Sequence, residues 1–376
     1  MVTIWHELKL ELERRESRDL RRFLRAVPKG ALDLASNDYL GLSTHPQVMA
    51  AASEAALKFG AGARASRLVS GNYDLITQLE SALAHFKGCE AALVFSSGYA
   101  ANIGVISALA NSETALFCHK RNHASLIDAC RFSSTSGATV RYFEKTDKLR
   151  SLLRSSEASR KIIVIDGVFS MDGDVIELPA ILEIAREHDA LILLDDAHGT
   201  GTLGATGRGT TEHFGMHDTR IVHIGTLSKA LGSQGGFVAG PQVLIDFFIN
   251  AARSFVYSTG LNPSAAGAAL KALEIVEREP QRIEKCRING RDLAEKLANL
   301  GFDVTPQPSP ILPVILKNEK QALDASAQLL EMGLWCPAIR PPTVPTARLR
   351  LTVNAGWDEA ELKRIVAGFA ALELEN

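Results

Sequence analysis

Four short runs rich in Val, Ile and Leu, separated by stretches of helical periodicity, restrict this chain more than any other feature. They are AALVF (91–95), KIIVIDGVF (161–169), ALILLDDAHG (190–199) and RIVHIGTLSK (220–229). Each is too short for a buried helix of ordinary length, and helical patterns such as ELPAILEIAREH (177–188) lie between them. Strands that alternate with helices fold as a mostly parallel sheet covered on both faces. The expected class is therefore α/β.

Beyond residue 275 the pattern changes. A charged helical stretch ends at Gly301, an expected C-cap. Three strand-like runs, ILPVIL, LWCPAIR and ARLRLTV, then alternate with the helical patterns EKQALDASAQLLEMG and DEAELKRIVAGFAALEL. The expected organisation is an N-terminal helix and segment over 1–39, a large domain over 40–275 and a small α+β domain over 276–376.

In open α/β sheets functional groups gather at the carboxyl ends of strands. Here those ends deliver Asp195, Asp196 and His198; Asp166 and Ser170; and Thr226, Ser228 and Lys229. Most lysines are solvated surface charges, so a lysine just past a buried strand among small residues stands out. A carboxylate such as Asp195 at a neighbouring strand end could keep a pyridinium nitrogen charged, as a pyridoxal electron sink requires. His198 could reach the phenolic oxygen of such a cofactor or satisfy a core hydrogen bond. The run LVFSSGYAAN reads strand, turn, helix. Gly98 and Tyr99 would open that helix, whose N-terminal amides attract an anion; the same residues could equally form a plain βα turn.

Other motifs are weaker. G-T-G-T-L-G (199–204) follows a strand, but the sequence after it is Gly- and Thr-rich, unlike the helix a dinucleotide fingerprint needs, so it reads as a loop over the site. His213 and His217 share helical spacing without a third ligand nearby, so no metal is expected. Arg64 and Arg67 read as salt-bridged. The 41 basic and 43 acidic residues leave no basic footprint for nucleic acid. Five cysteines without C-x-x-C spacing point away from a disulfide framework and toward a reducing, cytoplasmic setting. The N-terminus alternates charged and apolar residues without a signal-peptide core, and no stretch approaches a membrane span.

With these residues in view, the chain resembles the α-oxoamine synthases, pyridoxal-phosphate enzymes of fold type I. The shared motifs are SNDYLGL (36–42), SRLVSGN (66–72), SSGYAAN (96–102), NHAS (122–125), GVFSMDGD (167–174), DDAHGTG (195–201) and GTLSKALGSQGG (225–236). They run in the family's order over nearly the whole length. The resemblance implies a large domain with a seven-stranded, mostly parallel sheet, and a small C-terminal domain. It implies pyridoxal 5'-phosphate, with Lys229 as the Schiff-base lysine and proton carrier, Asp195 at the pyridine nitrogen and His198 at the phenolic oxygen. His123 would stack on the ring, Ser170 would lie beside the phenolic oxygen, and Gly98, Tyr99 and Thr226 would surround the cofactor.

Arg350 would receive the amino-acid carboxylate, and Arg21 and Thr343 would line the acyl side. Members are homodimers with shared sites, so Ser258 and Thr259 would serve the neighbouring subunit's phosphate. The segment AIRPPTVPTARLRLT (338–352) resembles members that join L-alanine to a pimeloyl thioester, carried by coenzyme A or acyl carrier protein. The rival readings are a sister enzyme using glycine and acetyl-CoA, a simple aminotransferase, and a non-catalytic ligand-binding protein. Three departures from the family pattern stand out: a shortened loop before A-R-L-R, Ala65 in place of a glycine, and Asp166 in place of a glutamate.

Overall fold

The computed structural model describes residues 2–18 and 20–374. Seven strands build the central sheet: β1 (Ala91–Phe95), β2 (Thr114–His119), β3 (Thr139–Phe143), β4 (Arg160–Asp166), β5 (Ala190–Asp195), β6 (Ile221–Thr226) and β7 (Gly236–Gly240). Their spatial order is β1-β7-β6-β5-β4-β2-β3, and only β7 runs antiparallel to its neighbours. Every residue of β2, β6 and β7 is buried. Along β4 the pleat sends Ile162 and Val164 into one apolar layer and Ile163 and Ile165 into the other, which is why these runs are continuously apolar.

Some of the helices begin at a side-chain cap and others do not. In α1 (Thr3–Glu16) no side chain caps the start and no residue is buried, so the helix expected from the periodicity forms without docking a face on the core. Helices α2 (Pro46–Phe59) and α3 (Asp74–Lys87) pack on the sheet side that also holds the C-terminal layers. The Ser97 hydroxyl accepts the Ala100 amide to start α4 (Gly98–Leu109), and the His123 ring accepts the Ser125 amide to start α5 (Ala124–Ser133). Helix α6 (Leu178–Glu187) follows β4, and α7 (Pro263–Arg278) leads to α8 (Gln281–Asn299) across Pro280. Residue 275 thus lies in the last turn of α7. At the end of α8, Gly301 takes φ +89°, as a left-handed terminator does.

The C-terminal part holds an antiparallel sheet of β8 (Ile311–Ile315), β9 (Ala338–Ile339) and β10 (Arg348–Thr352), in the order β9-β10-β8. Helices α9 (Glu319–Glu331) and α10 (Glu359–Ala370) belong to the same part, the second opened by a capping box of Asp358 and Glu361. The run LWCPAIR, expected as one strand, is two. Leu334–Trp335 pairs in parallel with Leu32–Asp33, whereas Ala338–Ile339 joins β10. Pro337 between them has no N–H to give a ladder, so the pairing changes sheets there. The N-terminal segment is therefore stitched to the small domain, also through the Thr352 amide on the Leu34 carbonyl at 2.8 Å. Near the family's glycine position, the left-handed turn falls on Arg64 (φ +68°) rather than on Ala65.

Candidate active site

Strands β4, β5 and β6 end side by side, with Asp166 in register with Asp195 and Asp195 beside Ile224. Asp195 is buried. Its Oδ2 accepts from Asn102 Nδ2 at 2.7 Å and its Oδ1 from the Ala197 amide at 3.0 Å. These bonds hold the carboxylate in one orientation and leave lone pairs for a further donor. Asn102 gives its other N–H to Ser125 Oγ at 2.8 Å, and Ser125 Oγ lies 2.7 Å from His123 Nδ1. Ser125 therefore donates its hydroxyl proton to Nδ1, which places the neutral ring's own proton on Nε2. Burial, aided by the Lys229 charge, lowers the pKa of His123.

Asp166 accepts the His123 amide at 2.5 Å. Burial first, and then the neighbouring Asp195 charge, push the Asp166 pKa well above the usual carboxylate range. Two adjacent carboxyls thus sit in different surroundings, Asp195 tied to Asn102 and Asp166 to the His123 amide.

Lys229 lies three residues past β6. Its amine has no hydrogen bond or ion pair among the described residues, and burial lowers its pKa below the ordinary lysine value, opposed by Asp195 and Asp166. His198 is buried and stays neutral, its pKa held well below the usual value by burial first and then by the charges of Lys229 and Arg350. The His198 Nδ1 atom lies 2.6 Å from the hydroxyl of Tyr39, so at least one of its nitrogens is satisfied within the core.

Arg350, on β10, is 8% exposed yet faces no carboxylate among the described residues. Its Nε donates to the Ser170 carbonyl, and its Nη atoms lie 3.4 and 3.5 Å from Asn37 Oδ1. The plain cross-strand alternative falls to its neighbour instead, because Arg348 is the one that pairs with Asp172. A buried guanidinium without an anion is costly unless a ligand supplies one.

At the start of α4 the Gly98 and Tyr99 amides have no acceptor among the described residues. The tip of β7 closes on this turn so tightly that a Cβ at Gly236 would lie 2.5 Å from Gly98 N. Thr226 adjoins Gly98, with its hydroxyl donating to the Gly235 carbonyl at 2.9 Å. The Tyr99 ring is half exposed and its hydroxyl is tied to Asp128 on α5 at 2.8 Å. Free amides at a helix N-terminus, an oriented buried carboxylate and an unpaired enclosed amine fit the phosphate, ring nitrogen and aldehyde of pyridoxal phosphate in turn.

The expected residues do not all converge. Arg21 and Thr343 line a separate cleft of about 1260 Å³ between the N-terminal segment and the small domain. Arg21 is paired with Glu16 there, and Thr343 accepts from Arg22 at 3.3 Å. Thr259 is exposed and pairs with Ser66, and Ser258 donates to the Thr259 carbonyl; neither bonds to the Lys229 group. His213 and His217 join no metal-ligating group, since none of three or more His, Cys, Asp or Glu occurs among the described residues. Residues 199–204 form turns rather than a helix start. Sequence reasoning assigned no role to Asn37, Tyr39, Asn102 and Ser125. Their signal was membership in the motifs SNDYLGL, SSGYAAN and NHAS.

The family model for aminotransferases of class I and II matches residues 29–369. A protein of Anaeromyxobacter dehalogenans named 8-amino-7-oxononanoate synthase is 44% identical over 375 residues, covering 96% of this chain and 94% of the relative. Among solved structures, SPT with its PLP internal aldimine superposes with a TM-score of 0.91 at 29% identity, covering 99% of this chain and 98% of the other. The 8-amino-7-oxononanoate synthase of Francisella tularensis superposes with a TM-score of 0.77 at 26% identity, covering 91% and 98%.

Proposed function

Because this chain belongs to the aminotransferase class I and II family, we propose that it condenses L-alanine with a pimeloyl thioester. The products are 8-amino-7-oxononanoate, carbon dioxide and a free thiol, a step of biotin biosynthesis. The two structural likenesses and the sequence likeness point to different members. Backbone superposition is higher on SPT than on the Francisella oxononanoate synthase, whereas sequence identity reaches 44% to the Anaeromyxobacter oxononanoate synthase against 29% to SPT. Substrate choice resides in side chains rather than in the shared backbone, so the sequence carries more weight.

The observation that supports the reading most is the unpaired, enclosed Lys229 amine among Asp195, His123, His198 and Arg350. Pyridoxal phosphate bound there supplies an electron sink for the amino-acid Cα. Asp195, fixed by Asn102, would hold a positive ring nitrogen in place. Lys229 would carry the cofactor and, as a free amine with a lowered pKa, take the Cα proton. His123 presents its ring with Nε2–H outward from the Ser125 bond. Arg350 would grip the carboxylate through its planar fork. The arginine-lined cleft holding Arg21 and Thr343 would take the acyl donor, and burial around Lys229 would keep water from the reacting carbon. Ser258 and Thr259, which make no bond to their own Lys229 group, suit a homodimer in which each chain completes the other's phosphate site.

The test is thiol release from purified, cofactor-loaded protein. Release with L-alanine and pimeloyl-CoA, and none with glycine and acetyl-CoA, is the expected result. Release only with glycine and acetyl-CoA would keep the family and overturn the substrate.

A further inference from the structure

Tyr39 is fully buried; its hydroxyl stands beside the Arg350 guanidinium, which can only donate to it, and between two groups that each want its single proton. Asn37 Oδ1 lies 2.9 Å away and His198 Nδ1 2.6 Å away. The Arg350 guanidinium faces the same Asn37 atom, which identifies that atom as the amide oxygen, an acceptor only. Tyr39 must therefore donate to Asn37. Its oxygen is left to accept from His198, whose ring proton is thereby fixed on Nδ1, and Nε2 keeps a lone pair. Burial raises the Tyr39 pKa to about 12, so the phenol keeps its proton at working pH. His198 stays neutral, so its character is set by tautomer rather than by charge. The charged or titratable groups that bear on it are Lys229, Arg350 and His123.

We propose that Tyr39 is a positioning residue that holds His198 in its Nδ1–H form and reports to it whether Arg350 carries a carboxylate. This rests on the reading of Arg350 as the partner of the amino-acid carboxylate. A carboxylate on the guanidinium draws it from Asn37 Oδ1, which becomes a stronger acceptor. The Tyr39 O–H is then more polarised, its oxygen accepts more strongly from Nδ1–H, and Nε2 becomes more basic. Each bond strengthens the next along such a chain. The loss of positive charge at Arg350 also acts on His198 directly through space, and Tyr39→Phe separates the two effects because it removes one oxygen and keeps the packed ring.

The experiment is nitrogen NMR of holoenzyme labelled at histidine, for the native chain and for Tyr39→Phe, with and without propionate. Propionate has the carboxylate and lacks the amine. The His198 signal is identified by its loss in His198→Gln. The native chain should show Nδ1 protonated and a propionate-dependent movement of Nε2. In Tyr39→Phe the fixed tautomer should be lost and the response should fall by about half or more. The variant should also lower kcat about tenfold with the KM for L-alanine changed less than about twofold, since it does not touch the carboxylate. A Tyr39→Phe holoenzyme that keeps the Nδ1–H form and the full propionate response overturns the proposal. If Arg350→Ala binds propionate as tightly as the native chain, the reading of Arg350 itself falls, and this inference with it.

Discussion

At the scale of residues, the site is set by which charges lack partners. Lys229 makes no hydrogen bond or ion pair among the described residues, while the buried Lys87 is saturated by Asp196 at 2.7 Å, Thr200 and the Arg208 carbonyl. Burial lowers the Lys229 pKa below 10.5. The neutral amine, which attacks an aldehyde, thus becomes the major form at a lower pH than for an exposed lysine. The rate at which cofactor-free protein captures pyridoxal phosphate should rise with pH and level off below 10.5; stopped-flow absorbance measures it, and a rise continuing past that value would contradict the burial. Arg350→Ala should raise the KM for L-alanine by roughly 30-fold or more, about 2 kcal/mol, as expected when one side of a buried charged contact is removed. An unchanged KM in steady-state assays would sink the assignment. Lys229, Asp195 and His198 were legible in the sequence because each closes an apolar run. Tyr39 and Asn102 were not, because their partners, His198 and Asp195, lie 159 and 93 positions away. No local pattern encodes such a contact.

Among the elements, β4, β5 and β6 could be read directly because both faces of each are buried and their runs are unbroken. Three other strands are harder to see for separate reasons. β2 (TALFCH) mixes polar residues into a buried strand, β3 is an edge with mostly exposed or half-buried positions, and β7 (GFVAG) begins and ends in glycine. Gly236 is needed there because β7 and the start of α4 touch backbone to backbone. The loop after β5 has its own anchor. Asp196 turns away from Asp195 and binds Lys87 at the end of α3, with both side chains fully buried, and it also accepts the Thr210 hydroxyl at 2.6 Å. Lys87→Met should cost about 3–5 kcal/mol in urea unfolding, because it leaves Asp196 buried without its counter-charge. A cost below about 1 kcal/mol would mean that water or a shifted loop replaces the ammonium.

The molecule as a whole presents surfaces that one chain leaves open. Tyr257 and Val69 are 73% and 80% exposed, close in sequence to Thr259 and to the bridge partner Ser66. In sedimentation the protein should run at twice the 40.6 kDa chain mass. A monomer that turns over would remove Ser258 and Thr259 from the site. No helix among the described residues is long and apolar enough to cross a membrane. The cleft that holds Arg21 and Thr343 has unequal walls. One is α9 and the strands beside it, rooted in the core, and the other includes Glu11, Arg14 and Arg15 of α1, a helix with no buried residue. In the single chain, detaching that second wall exposes no core, so its local unfolding free energy lies near the bottom of the molecule's range. With the acyl donor placed in this cleft as proposed, its measured affinity is the intrinsic affinity scaled by the fraction of time the arm is seated. Truncation or tagging of the N-terminus would change that fraction while leaving the chemistry at Lys229 intact.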